Sequence, residues 1–504
     1  MAQVLRGLGA AGAMAALWMI VGQSLGGQTP EIVELAGGNP AHAEALLRAV
    51  SEGLPYVPGE LLVRFKDGVG ARESGSALRV LRAPIDADNT EWIGEVLHLR
   101  GLDIEDPVHA AENLARQPEV LYAQPNYINK VDALPNDPGY NQQWNMPLIN
   151  MPQAWDINRS AGGGVIVAVV DTGLTTRDGT FGFRLYNGST LAVSAIPFAK
   201  AGDLDHTRVQ VGVDLQQFGR WQTSEGPLIF DAVGHGTHVA GTIAQQTNNS
   251  AGFAGVANGV TIMPIKVCYG SWDFQMYLNH VAGIAGFAAA TVGGCPTASV
   301  IEGIRYAADN GAKAINVSIG GAAAQPAALD ALNYAVSRGA FVAISAGNEA
   351  RAGNAASYPA FYAKEVDGVM AVAAVTPSRE RAGYSNTGSY VEIAAPGGAG
   401  SSAASAEQVW QTAPNQADLL PAPFRLAPAF NRSQNLGASG TSMAAPHVTA
   451  LAALLYSQGI TKPAAIEAAI KRFAQDLGPP GRDDDFGAGL IDARATLRGL
   501  GAAR

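Results

Sequence analysis

The sequence predicts a doubly wound α/β domain, a mostly parallel sheet with helices on both faces, preceded by a small α+β unit. Three observations carry this. Beyond Trp155, short runs such as Val165–Val170 and Val369–Val375 are wholly apolar, the pattern of strands buried on both faces of a parallel sheet. These runs alternate with helical segments, as βαβ connections require. Between residues 57 and 130 the segments are shorter, and strand, helix and strand patterns follow one another within about 80 residues, a compact unit of its own.

Taken in order, residues 1–26 read as a signal peptide: Arg6, an apolar stretch from Leu8 to Val21, then small residues at Ser24 and Gly26. The stretch is short for a membrane span. Residues 27–56 form a pro-segment, helical over 28–52 and without a motif. In residues 57–130, Pro58-Gly59 turns into a strand at Glu60–Phe65; Glu95–Leu99 is a second strand, Pro107–Gln117 a helix and Val120–Ala123 a third strand. Residues 131–140 are a linker rich in turn formers, Pro135-Asn136-Asp137-Pro138-Gly139. The main domain, residues 141–504, opens its first strand at Val165 and ends it in Asp171. Ser299-x-x-Glu302 is a capping box predicting a helix that stops at Gly311. Ala314–Ile319 is a strand, Pro326–Arg338 a helix, and Phe341–Ile344 and Val369–Val375 strands. Ala444–Tyr456 is a long apolar helix in which Pro446 is expected within the first turn.

Composition narrows the function. The net charge is −10 over 504 residues, which argues against nucleic acid as a partner. Sixty glycines favour tight turns over coiled coil. The only cysteines are Cys268 and Cys295. Export favours a disulfide between them; two buried free thiols are the alternative.

Four strings carry chemistry. Val170-Asp171-Thr172-Gly173 puts an acid at the end of a buried strand. Gly234-His235-Gly236-Thr237-His238 exposes an imidazole on a glycine-rich turn. Ser345-Ala346-Gly347-Asn348-Glu349 places a side-chain amide after a strand. Gly440-Thr441-Ser442-Met443 places a hydroxyl at a helix amino end, where free N–H groups face a developing anion. A serine needs a base to act as nucleophile, and the base needs a carboxylate to fix its tautomer. The bland readings are weaker. An aspartic protease needs a second Asp-Thr-Gly or Asp-Ser-Gly, and this chain has none. His235 and His238 lack the glutamate of a zinc His-Glu-x-x-His. His447 and Asn316 read as packed, satisfied residues.

Together, in the order acid, histidine, amide, serine, these strings closely resemble subtilisin-like serine proteases, over about residues 136–495. Residues 57–130, ending at Gln124-Pro125-Asn126-Tyr127, are similar to the family's propeptides, and Phe486–Ala493 to its closing segment. The resemblance implies a secreted, extracellular or periplasmic endopeptidase. Asp171, His235 and Ser442 would form its triad and Asn348 its oxyanion donor. Ser318-Ile319-Gly320 and Ala346-Gly347 would line the substrate cleft, with Ser357 flooring its main specificity pocket. It also implies a structural calcium held by Asn249, the carbonyls of Thr247, Ala251 and Phe253, and Asp137. No catalytic metal or organic cofactor is expected. The expected partners are protein or peptide substrates and the chain's own propeptide, in a monomer with no stable membrane insertion after processing. A serine esterase or a non-catalytic relative of the same fold are the alternatives. The chain departs from short family members at Leu174–Phe230, read as long and irregular, at Cys268–Cys295 and at Ser401–Leu436. A Cys268–Cys295 bridge is expected to tie the base of the second insertion and shape the cleft.

Overall fold

The computed structural model describes residues 56–128, 134–218, 220–287, 293–399, 405–419 and 427–499. The expected signal peptide and the helical reading of residues 28–52 lie outside them. The chain divides into two compact units, Met1–Val131 and Asp132–Arg504.

In the first unit, β1 (Tyr56–Phe65), α1 (Ala71–Leu78), β2 (Thr90–Ile93), β3 (Val96–Leu99), α2 (Pro107–Ala115) and β4 (Val120–Tyr127) follow in order. The strands form an antiparallel sheet in the order β2-β3-β1-β4. Period-2 alternation on β1 sends Leu61 and Val63 into a core shared with Leu99 and Leu114, all fully buried. Glu60, on the same strand, is buried too and faces His98 Nε2 of β3 (2.7 Å) and the Asn126 amide of β4 (2.6 Å), so one carboxylate ties three strands. Asp106 caps α2 through the amides of Val108 and His109, and Pro107 at the first helical position lacks only an N–H that would have had no helical partner. The sequence reading missed α1 and β2; β2 is an edge strand with three of four residues exposed, so no apolar run marks it.

The second unit holds a seven-stranded, wholly parallel sheet. Its elements are β5 (Ile166–Asp171), the hairpin β6 (Gly179–Tyr186) and β7 (Leu191–Phe198), β8 (Val213–Asp214), α3 (His235–Ala244), β9 (Thr261–Lys266), α4 (Ser271–Met276), α5 (Thr297–Asp309), β10 (Ala314–Val317), α6 (Pro326–Ser337), β11 (Phe341–Ser345), β12 (Val369–Val375), β13 (Val391–Pro396), the pair β14 (Val409–Pro414) and β15 (Ser433–Ala438), and α7 (Thr441–Ser457). The strand order is β13-β12-β11-β10-β5-β9-β8. Every residue of β10, β11 and β12 is buried, so both faces of the sheet are covered. From β5 the chain winds out to β8 and β9, then crosses to β10 on the other side. β5 is therefore the topological switch point, where such sheets bind ligands at the carboxyl ends, and Asp171 is its last residue.

Three local expectations are corrected. Helix α5 begins at Thr297 after Pro296, with no side-chain cap, and Ser299 lies inside it, buried. Proline already sets the entry geometry, so the capping box is not used. Pro446 lies in the second turn of α7 rather than the first, for a reason given below. The stretch read as irregular contains the β6–β7 hairpin, two paired strands of eight residues each, whose Phe183, Leu185, Ile196 and Phe198 build a second core with Trp221, Phe230, Trp272 and Phe430.

Candidate active site

The acid and the base meet first. Asp171, 1% exposed, faces His235 Nδ1 from its Oδ1 at 2.7 Å. The same Oδ1 accepts the Thr172 N–H at 2.7 Å. His235 opens α3, and Asp231 holds that amino end by accepting the N–H groups of Val233, Gly234 and Thr237, as anions do at helix starts. Thr172 Oγ1 joins the two sides: it donates to Asp231 (2.8 Å) and accepts from Gly236 N–H (2.8 Å). Burial disfavours charge on His235, but Asp171, by charge and hydrogen bond, and then Asp231 outweigh it, so its pKa is raised. His238 behaves oppositely. Burial, then the neighbouring His235, push it down to about 4, and its Nε2 faces the carbonyls of Val409 and Leu436. His447 is likewise buried and pushed down to about 4, between Asn145 and the Met443 carbonyl.

Helix α7 packs on α3 and on the sheet and carries Ser442 in its first turn. Proline at 446 cannot donate to the carbonyl four residues earlier, which is that of Ser442. Ser318 Oγ takes that place, donating to the Ser442 carbonyl at 2.9 Å while accepting from Asn316 Nδ2. This substitute donor explains how a proline sits one turn deeper than expected. Ser442 Oγ donates to the Ser318 carbonyl at 3.4 Å; among the described residues no hydrogen bond joins it to His235.

Asn348 lies just beyond the end of β11. Asn348 Oδ1 accepts from Thr441 N–H and Oγ1 (2.9 and 3.0 Å), which leaves Nδ2 as the free end. A side chain at Gly440 would lie 3.6 Å from the Ser442 amide nitrogen and 3.7 Å from Asn348 Nδ2. The two donors thus border one small space at Gly440. Ser357, Gly320 and Gly347 also come together: a Cβ on Gly320 would lie 2.2 Å from Ser357 Oγ and displace that hydroxyl, and one on Gly347, where φ is +109°, would lie 2.9 Å from Ser357 Cβ. Ile319 is half-buried against the core and Ala346 fully buried. Glu349 was missed. It accepts from Asn348 N–H and Asn386 Nδ2 beside Gly347, and its place directly after the amide was the only signal.

Cys268 and Cys295 form a disulfide, which removes the free-thiol alternative. In the described part of the loop it closes, α4 follows Gly270 and rings pack together: Phe218 lies edge-on against Tyr269 and Phe274, 4.6 and 5.0 Å between centroids. A cavity of about 520 Å³ opens between the disulfide, Tyr269, Thr172, Val233, Gln416 and Leu419. Thr172, which follows the acid, is in its wall, and none of the described residues lining it is charged.

The expected metal loop lies against Asp137, whose carboxylate accepts the N–H groups of Asn248 and Asn249. The sequence reading found no acid after Asp171 for this site; the structure supplies Asp203, which accepts from Asn249 Nδ2 and Phe253 N–H. Burial, and in part the charge of Asp137, push Asp203 up to about 6. Among the described residues neither acid pairs with a basic side chain. Two crowded carboxylates beside an amide and carbonyl-rich loop are a hard-oxygen set that suits calcium. No group of three or more His, Cys, Asp or Glu side chains is placed for a metal among the described residues, so the loop's own oxygens would complete it.

A strand-end acid bonded to a helix-start histidine, with a serine and two N–H donors on neighbouring helix and loop, defines the class as serine hydrolase. Residues 162–489 match the subtilase family, and residues 43–126 the fervidolysin N-terminal prodomain. The extracellular protease of Xanthomonas campestris pv. campestris is 31% identical over 465 residues, 87% of this chain and 72% of that one. Thermitase of Thermoactinomyces vulgaris is 32% identical over 349 residues, 69% of this chain and 94% of that one. A solved protease of Pseudoalteromonas arctica superposes with TM-score 0.53 at 28% identity, over 74% of this chain and all of that one. Fervidolysin from Fervidobacterium pennivorans, at TM-score 0.50 and 23% identity over 88% of this chain and 61% of that one, shows the fold alone. The chain belongs to the subtilase family of serine proteases and carries that family's type of prodomain. Among the described residues no helix is long and apolar enough to cross a membrane.

Proposed function

We propose that this chain is a secreted, self-processing serine endopeptidase. One observation carries the reading: the Asp171–His235 bond, 2.7 Å, ends on a helix packed against the one that carries Ser442, whose amide and Asn348 Nδ2 border one space at Gly440. With Nδ1 turned to Asp171, His235 offers Nε2 as the base. Ser442 Oγ attacks the scissile carbonyl, His235 takes its proton, and the Ser442 N–H and Asn348 Nδ2 hold the oxyanion. The proton then passes to the leaving amine, and water releases the acyl group by the same steps.

The cleft runs along Ser318–Gly320 and Ala346–Gly347. Ser357 gives its main pocket a small, uncharged floor, and the Glu349 carboxylate beside it is already engaged by two donors. A large apolar residue before the cut is the expected preference. The disulfide-walled cavity adds an uncharged subsite next to Thr172. Residues 1–26 direct export, and a self-cut falls between Ile128 and Pro138, releasing a mature monomer. Asp137, Asp203, Asn249 and the carbonyls of Thr247, Ala251 and Phe253 hold one structural calcium, which neutralises the paired carboxylates and locks the mature amino end to the loop.

A fluorophosphonate probe tests the centre. It should label the wild type and not Ser442→Ala, and the wild type should degrade a folded protein substrate. Absence of label removes the nucleophile; labelling with ester but no protein turnover makes the enzyme an esterase. Intact mass should show Ser442→Ala as the uncut precursor, and normal processing of that variant would assign the cut to another protease.

A further inference from the structure

Lys266 is the last residue of β9, in register with Asp171 on β5, and its side chain is 0% exposed. A buried ammonium is costly unless it is paired and hydrogen-bonded. Its Nζ donates to the Thr172 carbonyl at 2.7 Å and to Asp273 Oδ2 at 3.2 Å, and lies 5.3 Å from the centre of the Phe230 ring. Asp273, on α4, is equally buried, and its Oδ2 also accepts the Gly270 N–H. Asp214 is a second buried carboxylate in the same group: burial pushes it up to about 7, Lys266 pulls it down and Asp273 pushes it up. Such a pair is a poor device for stability, because uncharged residues of similar volume often serve as well.

Its position explains it better. Every polar group of Thr172 is occupied. Its N–H holds Asp171 Oδ1, the oxygen that faces His235. Its Oγ1 holds Asp231 and Gly236 at the start of the helix that carries His235. Its carbonyl is held by Lys266. The acid and the base are thus aligned through one residue, and Lys266 fixes the peptide unit on its far side. We infer that Lys266 is a positioning residue for the Asp171–His235 pair, acting through Thr172 and held in place by Asp273. This rests on the reading of Asp171 and His235 given above.

Removing Lys266 alone strands two buried carboxylates, so the informative variant is Lys266→Met with Asp273→Asn, which removes the buried ion pair, keeps an acceptor for Gly270 and leaves only the Asp214 carboxyl, which is free to take up a proton. The groups facing His235 are Asp171, Asp231 and the neutral His238. A looser Asp171 supports the imidazolium less, so the acid limb moves down. The double variant should melt within a few degrees of wild type. Its kcat should fall roughly tenfold, since small misplacements of reacting groups are costly, while KM stays the same. The acid limb of its fluorophosphonate labelling should move down by about half a pH unit. Wild-type kcat and an unmoved limb, with or without a lower melting temperature, would make Lys266 merely structural and overturn the proposal. A wild type that takes no label at any pH overturns the serine mechanism itself and this proposal with it.

Discussion

Replacing Ser318 with alanine removes the donor that stands in for the amide Pro446 lacks. Ser318 is 5% exposed, and its hydroxyl is the group that donates to the Ser442 carbonyl, at 2.9 Å. The variant leaves that carbonyl without this partner and deprives Asn316 Nδ2 of its acceptor. A buried polar group that loses its partner costs about 1–3 kcal/mol, so Ser318→Ala should lose about that much. The measurement is urea unfolding of the Ser442→Ala background, which prevents self-digestion. Pro446→Ala supplies the arithmetic check: it returns an N–H to position 446, four residues after Ser442, where helix geometry aims it at the same carbonyl. Ser318→Ala combined with Pro446→Ala should therefore cost less than the sum of the two, by about 1 kcal/mol. Strict additivity, or a loss below about 0.5 kcal/mol for Ser318→Ala alone, would refute the idea that Ser318 satisfies a carbonyl orphaned by the proline.

Asn348→Ala should lower kcat by about 10²–10³, the loss known for the oxyanion amide in subtilisin, with KM little changed; unchanged turnover takes Asn348 out of the role. Because Asp171 and Asp231 raise the pKa of His235 and only the neutral ring is a base, kcat/KM should climb through a limb above the ordinary histidine value of about 6.5; a maximum near pH 4 contradicts the mechanism. A chelator should lower the melting temperature of the mature enzyme, and Asp203→Ala should abolish that response; a chelator without effect on wild type leaves the loop without a structural role for calcium. Cys268→Ser with Cys295→Ser should lose about 3–4 kcal/mol by loop entropy over a separation of 27 residues, and should broaden preference beside the cut while sparing probe labelling. An unchanged cleavage profile would separate the bridge from the cleft.

Much was legible because it is written locally. Strands buried on both faces must be apolar throughout, so β5, β10, β11 and β12 show in the sequence within a residue or two. Asp171, His235, Asn348 and Ser442 stand in strings whose neighbours serve the chemistry directly, through glycine turns and helix starts. Their order therefore gave the family; the tertiary structure bonds Asp171 to His235 at the end of β5 and Asn348 to Thr441, the neighbour of Ser442. What tertiary structure alone decided concerns partners far apart in the chain. Asp203 meets Asn249 and Phe253 of the 247–253 loop although no local pattern marks it, because its partners come from another segment of the chain. Ser318 rescues a carbonyl 124 residues away, which let Pro446 sit a turn deeper than a local rule allows. Lys266 reads in sequence as the polar end of a strand, yet lies wholly buried, because two carboxylates from other segments make its charge tolerable there. Local pattern fixes what a segment can become; a buried charge or an orphaned carbonyl is settled only by the atoms that arrive to meet it.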